Sequence, residues 1–195
     1  FISYPYEWSF DYLKRAALFH LQLQIDAFDA GVVLVDATPF NIQFVNGHPV
    51  FIDHLSFKRY APGELWWGYD QFLRGFVNPL VLAAAGRGQW RTLYRGMLAM
   101  IDSETARSLL PLRQRLKRDV FWNVSVPALL QRTGKATQGE AKSLALPPEK
   151  YRAQLVGLLR LLEKLELRSD ASHWESYTET RTYDREETEA KRAFV

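Results

Sequence analysis

The chain has 195 residues, 47% of them hydrophobic, which is enough for one globular domain with a hydrophobic core. Its 25 basic and 22 acidic residues give a net charge of +3, and this near balance argues against nucleic acid or a membrane surface as the partner. The absence of cysteine excludes disulfides, thiolate zinc sites and a cysteine nucleophile, and it fits a cytoplasmic protein. No apolar run approaches the ~20 residues of a membrane-spanning helix.

The first predicted element is an amphipathic helix. Apolar residues recur at three- and four-residue steps from Phe10 to Phe28, which is the pattern of one buried helix face. Ser9 marks its beginning, and Gly31 is placed to end it. His20 lies near the apolar stripe. We interpret it as a packed or capping histidine, because no partner at metal-ligand spacing is nearby.

A strand and then a β-hairpin are predicted next. Residues 32–35 are mostly β-branched, which favours a strand, and Pro39 prevents regular pairing in the loop that follows. Residues 46–47 are Asn-Gly, a strong signal for a two-residue hairpin turn between alternating segments. The alternation on both sides of this turn predicts a hairpin whose register can be worked out.

That register brings polar side chains to one end of the hairpin. A two-residue turn pairs Asn41 with Ile52, so Asn41 and Asp53 lie about one strand spacing apart. Asp36 lies in the loop just upstream, at the same end. Gln43 faces the same side as Asn41 and is a candidate for supporting contacts, although a lone polar residue in a strand is more often merely exposed. The alternative is ordinary turn chemistry, because Asp and Asn favour loops and cap turns locally.

The rest of the chain is predicted to be mainly helical. The aromatic cluster of Trp66, Trp67 and Tyr69 offers rings for stacking on a base or sugar, but its helical spacing favours core packing. The overall expectation is an α+β fold, mostly helical, with a small β-hairpin element that carries the site. The predicted helices are Glu64 to Val77, Leu80 to Ala85, Trp90 to Ile101, Asp119 to Leu130 and one that opens at Pro147-Pro148, with a polar loop from Lys135 to Lys142.

Two acids and an amide at a strand end suit a divalent cation and a phosphate. Mg²⁺ prefers hard oxygen ligands and keeps several waters, so one carboxylate and one amide oxygen from the protein suffice. A further carboxylate can orient or deprotonate an attacking hydroxyl. Phosphoryl transfer needs little more from a protein than this positioning and charge neutralisation.

The pattern Asp36-x-x-x-x-Asn41, a hairpin and then Asp53 resembles the catalytic loop and metal-binding aspartate of protein-kinase-like phosphotransferases, such as aminoglycoside phosphotransferases and choline-kinase-type enzymes. The resemblance implies a kinase-like large lobe with Asp36 as catalytic base. It implies Asn41 and Asp53 as ligands of Mg²⁺ bound with ATP or GTP. His54, next to Asp53, contacts phosphate or makes a structural hydrogen bond. Leu34 departs from the pattern, because the family usually has histidine there, and the Gly-rich loop and anchoring lysine are not in this chain.

Three segments together resemble bacterial proteins related to nodulation protein NoeA, which are described as class I SAM-dependent methyltransferases. The segments are Tyr4-Pro5-Tyr6-Glu7-Trp8-Ser9-Phe10, Asp36-Ala37-x-x-Phe40-Asn41-Ile42-Gln43-Phe44 and Phe51-Ile52-Asp53-x-Leu55-Ser56-Phe57. This resemblance implies a kinase-like domain over residues 1–168, with its N-terminal part missing. It implies that residues 169–195 lead into a C-terminal methyltransferase domain of the same polypeptide. SAM is not expected to bind here, because the glycines of 86–88 follow no predicted strand.

Two functional hypotheses remain open at this point. The first is a kinase-like accessory domain of a SAM-dependent methyltransferase-type protein, which binds Mg-nucleotide and phosphorylates a small molecule or carbohydrate. The second is a non-catalytic substrate-binding or structural module for the methyltransferase domain. The trio of Asp36, Asn41 and Asp53 favours the first, whereas Leu34 and the absent anchor lysine favour the second.

Overall fold

The computed structural model describes residues 2–97, 100–132 and 145–168, together with residues 187 and 189. Most of this part of the chain is helical, with two small antiparallel sheets after the first long helix. In chain order the elements are α1 (Phe10–Asp29), β1 (Val32–Leu34), β2 (Ile42–Val45), β3 (His48–Phe51), β4 (Phe57–Arg59), α2 (Tyr69–Phe72), α3 (Asn78–Ala84), α4 (Trp90–Gly96), α5 (Ser103–Leu109), α6 (Leu112–Arg115), α7 (Arg118–Val120), α8 (Val126–Arg132) and α9 (Pro148–Glu163). None of the helices in the described ranges combines the length and hydropathy that a bilayer crossing requires.

Helix α1 forms where the apolar stripe predicts it. Ser9 caps its first turn, since the Ser9 Oγ accepts a hydrogen bond from Tyr12 N at 3.2 Å. The helix ends at Asp29, and Gly31 follows with a φ of +79°, the left-handed conformation typical just after a helix end. The buried face of α1 packs against α9, so segments far apart in sequence share one core.

His20 is packed inside the protein, as predicted. The imidazole is 0% exposed, and the rings of Phe51, Trp66, Phe72 and Phe76 surround it at centroid distances of 5.6 to 6.3 Å. Neither ring nitrogen has a hydrogen-bond partner among the described residues. Burial lowers the pKa of His20 from 6.5 to about 4, because the charged imidazolium would lose its hydration there.

The predicted hairpin and its register are confirmed. β2 and β3 pair antiparallel, with Val45 opposite His48. Asn46 and Gly47 form the turn with φ values of +50° and +77°, which a tight two-residue hairpin turn requires. The predicted strand at residues 32–35 is also present, as β1. It pairs antiparallel with β4, a strand that the sequence pattern does not predict.

The first predicted helix after the hairpin begins later than expected. Residues 64–66 have no regular structure and residues 67–68 form a turn, because Trp66 is anchored by donating its Nε1 hydrogen to Leu34 O at 3.1 Å. The helical run then continues from α2 to α3 through a π-helical turn at Leu73–Val77, so the two predicted segments, 64–77 and 80–85, form one run.

The later helices match the predictions in part. The segment predicted at 119–130 is helical, within a run formed by α7, a π-helical turn at Phe121–Ser125 and α8. The last helix begins at Pro148, as predicted. The helix predicted at 90–101 ends at Gly96, and the short helices α5 and α6 were not predicted. The polar loop at 135–142 lies outside the described residues, as does the lead-in at 169–195 apart from residues 187 and 189.

Candidate functional site

The open end of the hairpin brings Asn41 and Asp53 into contact. Ile52 N donates to Asn41 O at 2.9 Å, which extends the strand pairing by one residue and places the two side chains next to each other. Asn41 Nδ2 then donates to Asp53 Oδ2 at 3.2 Å. Both residues are half-buried, so their polar atoms are held in place yet reachable from solvent. The contact follows from the hairpin register that the sequence predicts.

Asp53 is fixed from its other side by the turn that follows it. Its Oδ1 accepts a hydrogen bond from Leu55 N at 3.1 Å and so caps a short 3₁₀ turn, His54–Ser56. This bond leaves lone pairs on both carboxylate oxygens, because an ionised carboxylate accepts about four hydrogen bonds. His54 is exposed beside it, and Leu55 is 94% exposed.

Asp36 lies in a separate loop, whose backbone is joined to the turn after Asp53. Its Oδ1 accepts a hydrogen bond from Thr38 N at 3.0 Å, so among the described residues the carboxylate is bonded within its own loop rather than to Asn41 or Asp53. The backbone of Asp36 is tied to the Asp53 turn through Ser56. Asp36 N donates to Ser56 Oγ at 3.0 Å, and Ser56 Oγ donates to Asp36 O at 3.2 Å.

The Asp36 loop is also clamped by the helical run that begins at Tyr69. Ala37 N donates to Gln71 Oε1 at 3.1 Å. Gly68 packs so closely on the loop that a Cβ there would lie 2.6 Å from the Ala37 Cβ. Gly75, in the π-helical turn, approaches Pro39 so closely that a Cβ would lie 2.5 Å from the Pro39 Cδ. Each of these glycines therefore permits a backbone approach that any side chain would prevent.

Gln43 does not support the Asn41–Asp53 pair. Its amide is committed to Ser3, because Ser3 N donates to Gln43 Oε1 at 3.1 Å and Gln43 Nε2 donates to Ser3 O at 3.0 Å. The expectation of supporting contacts from Gln43 is therefore wrong. The reason is that the N-terminal segment runs alongside β2 and offers both backbone groups that the amide needs.

The aromatic cluster divides between core and surface. Trp66 is 4% exposed and packs against Tyr69 and Phe72, so core packing is correct for it. Trp67 is 69% exposed, so core packing is wrong for this residue. The Lys58 Nζ lies 4.8 Å from the centre of the Trp67 ring.

The donor set at the hairpin end fits Mg²⁺ better than a cation that needs several protein ligands. In the described ranges, no three His, Asp or Glu side chains gather where a metal ion would fit. A cation at the pair would therefore take one carboxylate from Asp53, one amide oxygen from Asn41 and otherwise water. The Asn41 amide now points its nitrogen at Asp53, so it would turn about its last bond to present Oδ1.

The residues that sequence reasoning missed are those that hold Asp36. Ser56 and Gln71 bond to the Asp36 loop, and Gly68 and Gly75 allow the helical run to approach it. No local pattern marks them, because each contact joins residues at least 20 positions apart. Ser56 is an example, since it is 3% exposed although Leu55, directly before it, is 94% exposed.

Comparison with known proteins gives a relative but no fold assignment. No protein-family model and no solved structure matches the chain. The chain is 40% identical, over an alignment of 199 residues, to nodulation protein NoeA of Rhizobium meliloti (strain 1021). The match covers 100% of this chain and 42% of that protein. The resemblance to NoeA-related proteins is thus confirmed, and the chain is similar, over its whole length, to less than half of this nodulation protein.

Proposed function

We propose that this chain is a protein-kinase-like accessory domain of a SAM-dependent methyltransferase-type protein. It binds Mg²⁺ with ATP or GTP and phosphorylates a hydroxyl group of a small molecule or carbohydrate. The observation that carries the proposal is the contact between Asn41 and Asp53 at the end of a tight hairpin, with Asp36 tied to the same turn through Ser56.

Each member of the trio has a separate part in this proposal. Asn41 and Asp53 offer the amide and carboxylate oxygens that hold the cation, and the bound Mg²⁺ neutralises the charge of the nucleotide phosphates. Asp36 orients the acceptor hydroxyl and takes its proton. His54 is exposed next to Asp53, where an imidazole can approach a phosphate oxygen.

The fold that we propose for this chain is that of a kinase-like large lobe, and the mostly helical structure of the described residues is consistent with it. In this proposal the helical run from α2 to α3 serves as the rigid support of the catalytic loop. It contacts that loop at Ala37 through Gln71 and at Pro39 through Gly75. A loop held this closely by a helix keeps its carboxylate in one position, which phosphoryl transfer requires.

A second candidate function is a non-catalytic substrate-binding or structural module for the methyltransferase domain. Leu34 favours it, because this residue is 0% exposed and occupies with an apolar side chain the position where the kinase-like pattern has histidine. The hydrogen bond from Thr38 N to Asp36 Oδ1 also favours it, since it draws the carboxylate toward its own loop.

The proposal places this domain in a longer cytoplasmic polypeptide. The chain spans 42% of the length of the NoeA protein from Rhizobium meliloti, which leaves room for further domains in a relative of that kind. In this proposal the partner is a C-terminal methyltransferase domain of the same polypeptide, and SAM binds there rather than here. The lack of cysteine is consistent with a reducing compartment.

Calorimetric titration of Mg-ATP and Mg-GTP tests the proposal, both with this chain and with a longer chain that includes both flanking regions. We expect binding that requires Mg²⁺ and that weakens at least about tenfold in Asp53→Asn, which is a loss of ~1.4 kcal/mol. The matched control is Asp11→Asn, an exposed carboxylate on α1, which should bind like the parent protein.

Asp36→Asn separates the two candidate functions. If the chain is a kinase, this variant keeps nucleotide binding but no longer transfers phosphate. Transfer is measured as the γ-phosphate that appears on an added acceptor. A parent protein that binds Mg-nucleotide but transfers no phosphate supports the non-catalytic module. A folded protein that binds neither nucleotide in either chain length contradicts the kinase and supports the non-catalytic module.

A further inference from the structure

Trp67 is an exposed aromatic side chain on a rigidly held backbone. Its indole is 69% exposed, yet its two neighbours in sequence are fixed. Trp66 is buried and bonded to Leu34 O, and Gly68 is packed against Ala37 without room for a Cβ. A single exposed tryptophan is unremarkable on a mobile loop, but here the chain holds it on both sides.

The indole is also held by a charged neighbour. Lys58 Nζ lies 4.8 Å from the ring centre, at the distance of a cation–π contact. The same ammonium group forms a 2.5 Å ion pair with Glu64 Oε2, and Glu64 Oε1 accepts a hydrogen bond from Ala61 N at 2.9 Å. Lys58 is therefore neutralised and fixed, and it holds the ring without offering a free positive charge.

The backbone around Trp67 lies next to the loop that carries Asp36. Ala37 and Gly68 are in direct contact, and they adjoin Asp36 and Trp67 in the chain. On the other side, Lys58 lies in β4 two residues after Ser56, the residue that bonds the backbone of Asp36. Two routes of contact thus connect the indole to the loop of the proposed catalytic carboxylate.

The surroundings define the chemistry of a ligand. Leu55, two residues after Asp53, and Phe40, directly before Asn41, are 94% and 44% exposed. Binding sites for small molecules combine apolar and aromatic walls with a few fixed polar groups. Among the described residues, neither Asp36 nor Asp53 forms an ion pair, so their negative charge disfavours an anionic acceptor. A neutral ring that carries hydroxyl groups satisfies both the indole and the carboxylates.

We propose that Trp67 is the platform for the acceptor, and that the acceptor is a neutral pyranose sugar. The C–H face of the sugar ring lies on the indole, and a hydroxyl group points to Asp36. The part played by Asp36 rests on the function proposed above, whereas the stacking on Trp67 needs neither nucleotide nor Mg²⁺.

The test is to follow the tryptophan indole N–H signals by NMR while methyl α-D-glucopyranoside is added to the chain. We expect the Trp67 signal, identified by its loss in Trp67→Ala, to shift along a saturable curve. The acyclic polyol mannitol should not move it, because mannitol lacks the ring face. Binding measured from sugar resonances should weaken at least about tenfold in Trp67→Ala, a loss of ~1.4 kcal/mol. It should stay unchanged in Trp122→Ala, which removes a tryptophan that is 61% exposed elsewhere.

Asp53→Asn keeps this inference distinguishable from the proposed function. If the sugar still shifts the Trp67 signal in Asp53→Asn, although Mg-nucleotide binding is lost, the result supports Trp67 as the platform. Sugar shifts in a protein that never binds nucleotide support the platform and contradict the kinase.

Several results would overturn the platform. They are no shift with the sugar, equal shifts with mannitol, or a Trp67 shift that Mg-ATP produces and the sugar does not. Protection of Trp67 and loss of sugar binding in the longer chain would also overturn it, because the indole would then be a surface for docking another domain.

Discussion

Asn41 and Asp53 are held together by one hairpin, whereas Asp36 is held by segments that reach it from elsewhere in the chain. The Asn41–Asp53 contact spans a single turn whose geometry Asn46 and Gly47 impose. The Asp36 loop depends on Ser56 in the 3₁₀ turn after Asp53, on Gly68 and Gln71 at the start of the helical run, and on Gly75 in the π-helical turn. The comparison teaches that two halves of one candidate site can have separate structural supports and can therefore be perturbed separately.

His20 lies between the two supports, and its protonation should produce the largest effect on both. The ring stacks on Phe51 of the hairpin and contacts Phe72 and Phe76 of the helical run. Its folded pKa of about 4 is below its ordinary value of 6.5, so the unfolded state binds more protons between these values. The contribution of neutral His20 to the free energy of unfolding is therefore fully present above pH 6.5. It is lost as the pH falls to 4, a loss of roughly 3 kcal/mol in total.

Urea unfolding of the parent protein and of His20→Leu, at pH 7 and at pH 5, measures this contribution. The leucine variant should lose much less stability between the two pH values, because it carries no proton acceptor at this position. An equal loss in both proteins would mean that other groups cause the acid sensitivity. The variant should be no less stable than the parent at pH 7, because it removes two buried nitrogens that have no hydrogen-bond partner among the described residues.

Gly75→Ala should break the support of Asp36 with the next largest effect. The new Cβ would lie 2.5 Å from the Pro39 Cδ and 2.9 Å from the Met100 Sδ, so the loop or the helical run must move. Such overpacking costs about 1–3 kcal/mol. The control is Gly157→Ala in α9, which meets nothing within 4 Å and should stabilise the protein by about 0.5–1 kcal/mol. Equal unfolding free energies for the two variants would contradict the close approach.

Ser56→Ala should loosen Asp36 and leave the hairpin intact. It removes the hydroxyl that bonds both Asp36 N and Asp36 O, at a cost of about 1–3 kcal/mol for buried groups left without a partner. Amide hydrogen exchange should speed up at Asp36 and stay unchanged at Ile52, whose N–H bonds to Asn41. Ser108→Ala, which removes an exposed hydroxyl, is the control and should change neither. Faster exchange at Ile52 in Ser56→Ala would show that the two supports are one.

Gly47→Ala should give the smallest effect and the opposite pattern. Gly47 has a φ of +77°, which costs a residue with a Cβ about 1–2 kcal/mol, while the new Cβ would make only an ordinary contact with Tyr12 Oη at 3.7 Å. Exchange should then speed up at Ile52 and stay unchanged at Asp36. Gly88→Ala, at a glycine without positive φ and with nothing within 4 Å, serves as the control. An unchanged exchange rate at Ile52 in Gly47→Ala would mean that β2 and β3 pair without help from the turn.

The predictability of the site follows the same division. The Asn41–Asp53 contact was predictable because a hairpin register depends on residues next to each other in sequence. The bonds from Ser56 and Gln71 to the Asp36 loop were not predictable, because they require the β1–β4 pairing and the start of α2 to be known first. Trp67 was misjudged for a related reason. Its spacing fits a helix, but the anchoring of Trp66 to Leu34 delays the helix until Tyr69 and turns Trp67 outward.

The sequence by itself determined the elements whose cause is local. These are α1 with its Ser9 cap, the hairpin turn at Asn46-Gly47, the pairing end where Asn41 meets Asp53, and the start of α9 at Pro148. The tertiary structure decided how these elements meet. It placed His20 among four aromatic rings, brought Gly68 and Gly75 against the Asp36 loop, and joined two apolar segments into one helical run. Local signals come from backbone preferences and turn geometry within a few residues, whereas these contacts depend on close packing between segments that only the folded chain brings together.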